Sequence, residues 1–368
     1  MDKQNNVHSE NEQVLDKVIP FEQIKRQGNF EIEPCENGLN FEDKNLFKKI
    51  NLSSEQRMQV SSLLQHLPSV IASDAMAQAY TVSFPDGLQH TLVALKQGGV
   101  GSMYQEGGKF AGTASLYSLS SQAALLGAFN AMSIASGQYF LSQINSELKM
   151  INLSLDKILE FLYTDKKAEL MSEITFVKYA YQNYGTIMAH EHQQTATLTS
   201  LQEAKKVAMQ DLEFYLNDLR SKSKEKFNGL SQVEKAFQIK EELDLAMQLY
   251  AISSLLEVYY SQNFEQEYLQ YIEKETFSYI DKCDKCILAS FSALGKDVQG
   301  LKGKGVFGKK AEADSYEKKI NDLLELLSNT EDSAMKKSLR ATLNAATRSS
   351  KYYLDKSGNL YCKKKQSV

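Results

Sequence analysis

The chain has 368 residues, enough for two domains or one elongated helical body. With 42% hydrophobic and 24% charged residues it has the composition of a soluble folded protein, and a net charge of −4 argues against a nucleic-acid partner, because phosphate neutralisation needs a basic surface. Cys35, Cys283, Cys286 and Cys362 are too few and too scattered for a disulfide scaffold and fit a reducing compartment.

The polar start "MDKQNNVHSENEQ" has no apolar h-region, so a cytoplasmic location is expected. Residues 1–52 read as an irregular N-terminal arm with one or two short helices. Residues 53–113 read as a short helix followed by a small β-hairpin region. Ser53 and Gln56 have the spacing of a capping box for that helix. Between 79 and 113, β-branched and aromatic residues surround "PDG" and "EGG" turn signals, which predicts two successive hairpins or a small three-stranded sheet.

Prolines occur only at positions 20, 34, 68 and 85, so everything beyond Pro85 is free to form long helices. Residues 114–293 are expected to form the long-helix bundle. It includes the most unusual feature of the chain, the segment 110–146, which contains no charged side chain. Within it Ala123, Gly127, Ala131 and Ala135 recur at steps of four and make a small-residue ridge on a helix, with Phe129 among the bulky residues beside it. Serines, glutamines and asparagine interrupt the segment, so it is more polar than an ordinary resident membrane span. Three readings stay open: a helix buried on all sides, a membrane segment stored against the bundle and inserted on activation, or a resident span.

A heptad follows, carried by Leu141, Ile144, Leu148, Ile151, Leu155, Ile158 and Leu162. Further helices are expected at about 165–225, 230–293 and 312–350. Gly229 would stop the first of these, with Ser231 as the next cap. The tyrosine- and leucine-rich stretch "LAMQLYAISSLLEVYYSQNF" marks a central helix. Uninterrupted helices of about 50–60 residues would reach roughly 75–90 Å.

Residues 294–311 form a Lys/Gly-rich linker, and 312–368 a C-terminal helix with a basic tail that includes a "DKSGN" turn. Lys302, Lys304, Lys309 and Lys310 are candidates for contact with anionic lipid head groups. "GKGVFGKK" misses a P-loop, since Lys310 stands where a hydroxyl is needed. His190 and His192 are two apart and diverge on a helix, which leaves them as surface histidines. Cys283 and Cys286 share one helix face without a second cysteine pair, as structural cysteines do. No catalytic motif, metal site or cofactor site is legible.

The flexible segment 79–113, the uncharged segment 110–146 and the Leu141–Leu162 heptad together resemble the layout of α-helical pore-forming proteins of the cytolysin A and tripartite haemolysin type. The resemblance implies a stored hydrophobic element, a homo-oligomer and membrane lipid as a partner on activation. The N-terminus shows no export signal, so it further implies an intracellular, membrane-acting bacterial effector with a protein partner or activator. The expected fold is mainly α: an elongated bundle of long antiparallel helices with a small β-hairpin insertion. The expected function is non-enzymatic membrane insertion with pore formation. The alternative is a helical scaffold or partner-binding protein whose uncharged helix is permanent core.

Overall fold

The computed structural model describes residues 21–35, 39–65, 67, 77–99, 103–106, 109–113, 119–145, 148–151, 164–302, 307–328 and 333–363. In chain order the elements are α1 (Phe21–Gly28), β1 (Glu31–Pro34), β2 (Phe47–Ile50), α2 (Ser54–Gln65), β3 (Ala79–Phe84), α3 (Leu88–Gly99), β4 (Met103–Glu106), β5 (Lys109–Thr113) and α4 (Leu119–Leu141). They continue with α5 (Thr164–Gln182), α6 (Tyr184–Ile187), α7 (Glu191–Lys224), α8 (Leu230–Ser261), α9 (Gln266–Lys302), α10 (Phe307–Ser328) and α11 (Ala334–Thr347), and end with β6 (Ser350–Asp355) and β7 (Leu360–Lys363). The fold is mainly α with a small antiparallel sheet. Two compact units divide the chain: Met1–Ser133 with Arg348–Val368, and Ile134–Thr347.

The first unit is built on a five-stranded antiparallel sheet of order β1-β3-β6-β7-β2. The apolar run of β3 places it in the interior, where Val82 pairs with Ile32 on one side and Tyr352 on the other. Phe129 of α4 packs edge-on against Phe30 at 4.9 Å and Phe84 at 5.1 Å. Leu88, Leu92 and Leu95 of α3 join this core. A second ring cluster joins Phe47 to Tyr353 at 5.2 Å and Phe41 to Tyr361 at 4.8 Å. The expected box caps α2: the Gln56 amide donates to Ser53 Oγ at 3.1 Å, and the Ser53 amide to Gln56 Oε1 at 2.9 Å.

The reading of 79–113 as strands throughout is corrected by α3. "PDG" is a strand-to-helix turn, with Gly87 at φ 90° and the Thr91 amide donating to the Gly87 carbonyl. Leu88, Leu92 and Leu95 have helical spacing, and burying them on one face outweighs the β-branched composition. The second expected hairpin is present as β4–β5. The "DKSGN" turn joins β6 to β7, where Gly358 has φ 75° and Asp355 Oδ1 accepts from the amides of Ser357 and Asn359.

The second unit is a bundle. α7 and α8 are antiparallel, since Gln194 bonds to the Tyr260 carbonyl at one end and Gln232 to the Lys222 carbonyl at the other. α9 runs alongside α7, with Lys205 near Glu275 and Cys286 near the Leu216 carbonyl. α8 is buried over most of its surface, as its tyrosine–leucine composition predicts. At its end, Tyr259 OH donates to the Thr342 carbonyl and Tyr260 OH to the Ala180 carbonyl, while Tyr184 stacks edge-on against Tyr260 at 5.2 Å. Each ring fills core volume while its hydroxyl keeps a backbone acceptor.

The long helices are shorter than their hydrophobic runs suggest. The stretch expected as one helix over 230–293 is two, α8 and α9, separated at a left-handed Gln262 with φ 53°. α10 and α11 likewise replace one helix over 312–350. Helix α8 starts at Leu230, one residue before the expected Ser231 cap, behind Gly229 at φ 134°. Buried Gln232 supplies the bonds there: its Oε1 accepts from the Asn228 amide at 3.2 Å, and its Nε2 donates to the Lys222 carbonyl at 2.7 Å.

Candidate functional site

The uncharged segment forms α4, and its small-residue ridge changes environment along the helix. Ala123 is exposed and Gly127 is half-buried with no described residue within 4 Å of where a Cβ would stand, whereas Ala131 and Ala135 are buried. Phe129 is fully buried, and every residue from Ala131 to Gly137 is buried. The ridge is thus core toward its C-terminal end and open at Ala123. Gly137 gives a close approach, since a Cβ there would meet the Tyr184 hydroxyl at 2.9 Å.

Of the heptad, Leu141, Ile144, Leu148 and Ile151 are buried in the bundle core, and Leu155, Ile158 and Leu162 lie outside the described residues. The stripe does not run on one regular α-helix: residues Ser142–Ile144 form a 3-10 turn. Lys304 and the side chains of Lys302 and Lys309 lie outside the description, and Lys310 is exposed. His190 and His192 are both exposed, at the start of α7.

Cys283 and Cys286 are free and buried, and burial pushes the Cys283 thiol up to about 12. Thiolate chemistry is suppressed at Cys283. No group of three or more histidines, cysteines or carboxylates among the described residues is arranged to hold a metal ion. Glu242 of α8 is pushed up to about 7 by burial, with the nearby carboxylates of Asp218 and Asp211 on α7 adding to the rise.

A groove of about 1200 Å³ with several converging polar side chains lies between the C-terminal end of α7 and the outer face of α9. α7 contributes Arg220, Ser223 and Lys224. α9 contributes a face that runs from Gln270 to Ala293. The local reason is the amphipathicity of α9: Ile272, Ile280, Cys283, Ile287, Leu294 and Val298 point to the core, so the intervening lysines and small residues face out.

The groove is positively charged because its acids are neutralised from behind. Arg340 Nε of α11 donates to Glu273 at 2.7 Å, and Lys336 pairs with Asp281 at 2.5 Å. Arg340 also lies 4.8 Å from the centre of the Phe277 ring. Lys282 pairs with Glu213. Lys224, Lys274 and Lys285 are exposed and make no ion pair with another described residue. Their positive field is available to a ligand.

Sequence reasoning missed this site. Its cations are distributed between positions 220 and 285. Only the packing of α9 along α7 gathers them, and the signal in the sequence was the lysine-bearing polar face of amphipathic α9. No protein-family model, curated protein or solved structure matches the chain.

Proposed function

We propose that this protein is a non-enzymatic helical scaffold whose uncharged helix is permanent core and whose α7–α9 groove receives a protein partner. The observation that carries this reading is the unbroken burial of Ala131–Gly137 on α4. A segment without charge needs no membrane when its apolar side chains are already removed from water. No described helix is long and apolar enough to cross a membrane. The free, mostly buried cysteines support a reducing, cytoplasmic setting.

Membrane insertion of α4, by an oligomeric pore-forming effector, is the second reading. It draws on exposed Ala123 and the open space at Gly127, where another small-residue helix has room to approach.

Vesicle co-flotation and dye leakage with purified protein decide between them. The scaffold reading expects neither, on neutral or anionic vesicles. Leakage that vanishes in Gly127→Glu, in a variant that still folds, would replace it with the insertion reading, because a charge at the bilayer centre costs about 2.5–3.5 kcal/mol or more.

A further inference from the structure

We infer that the groove between α7 and α9 takes an acidic amphipathic helix from a partner protein. This rests on the scaffold reading and adds the chemistry of the partner. Four cations line the groove without a carboxylate partner among the described residues: Arg220, whose side chain bonds to the neutral Asn217 amide, and Lys224, Lys274 and Lys285.

Their spacing sets the kind of ligand. Lys274 and Lys285 are eleven residues apart on one helix, about 16 Å along its axis. Arg220 and Lys224 are one turn apart on α7. Cations distributed in this way do not converge on one phosphate. They complement carboxylates repeated along one face of a helix, since such a helix presents acids every three or four residues.

The groove floor has the matching apolar part. The half-buried Phe277, whose ring also carries Arg340 and Lys336, lies toward one end, and the small residues Ala289, Ser290 and Ala293 line the other. Small side chains let a second helix come near. The face from Gln270 to Ala293 extends about 35 Å, the length of a helix of roughly 23 residues. A nucleic acid is disfavoured by the overall charge of −4.

The test is fluorescence anisotropy on the full chain with a labelled amphipathic peptide of about 23 residues bearing Glu on one face and Leu and Ala on the other. Its controls are the same peptide with Lys for Glu, and a single-stranded oligonucleotide. The acidic peptide is expected to bind wild type. Its affinity should fall about tenfold or more in Lys274→Glu/Lys285→Glu, both exposed positions, and on raising salt from about 50 to 300 mM. The Lys peptide should bind the double variant better than wild type, a reversal that loss of folding cannot produce. Absence of acidic-peptide binding up to about 1 mM, or equal affinity in the variant, overturns the inference. Tighter binding of the oligonucleotide overturns the partner class. None of these outcomes moves the vesicle result that tests the scaffold reading.

Discussion

Gly137 on α4 and Tyr184 on α6 approach so closely that a Cβ at Gly137 would lie 2.9 Å from the tyrosine hydroxyl and 3.0 Å from its ring. The ring is fully buried and cannot move aside. Gly137→Ala is therefore expected to destabilise the protein by about 1–3 kcal/mol through overpacking. Gly127→Ala, on the same helix, meets no described residue within 4 Å and should stabilise it by about 0.5–1 kcal/mol through helix propensity. Paired denaturant titrations check the opposite signs.

Gln232 holds the α7–α8 connection through the Lys222 carbonyl and the Asn228 amide. Gln232→Leu should cost about 1–3 kcal/mol, because both backbone groups lose a partner. Rapid proteolysis at residues 225–229 in this variant, against slow cleavage in wild type, would locate the effect.

Lys205 stands between Glu257 at 3.1 Å and Glu275 at 3.6 Å, and all three side chains are largely shielded. Lys205→Met leaves two carboxylates facing one another and should cost about 2–4 kcal/mol. Adding Glu257→Gln should recover part of that loss. A double-mutant cycle showing simple additivity would contradict the coupling.

Glu242 gives the fold a pH dependence. Its carboxyl is near 4.5 when unfolded and about 7 when folded. Below about 4.5 it is protonated in both states and its contribution is fully present. That contribution is lost as pH rises through about 7, when the folded state must ionise a desolvated group beside Asp218 and Asp211. Glu242→Gln should therefore raise the Tm at pH 8 and leave it nearly unchanged at pH 4. Thermal melts across this range measure the difference.

Much of the architecture is legible in local chemistry. The Ser53–Gln56 box, the "DKSGN" turn and the central position of α8 follow from side-chain types at short range. The break at Gly229 is legible too, but the break between α8 and α9 is not. The chain ends α8 at a left-handed Gln262, where no glycine or proline signals a stop. It also starts α8 at Gly229 with Gln232 in support, so the nearby Ser231 misleads. The sequence shows α4 to be uncharged, but burial and membrane insertion both favour that composition. The groove depends on side chains of α7, α9 and α11 brought together only by packing.

The most direct test of α4 as permanent core is amide hydrogen exchange of residues 125–141, measured with and without anionic vesicles. Slow exchange that is the same in both conditions is the predicted result, matching the global stability of the fold. Fast exchange in the free protein, or a change confined to this helix when vesicles are added, would contradict it.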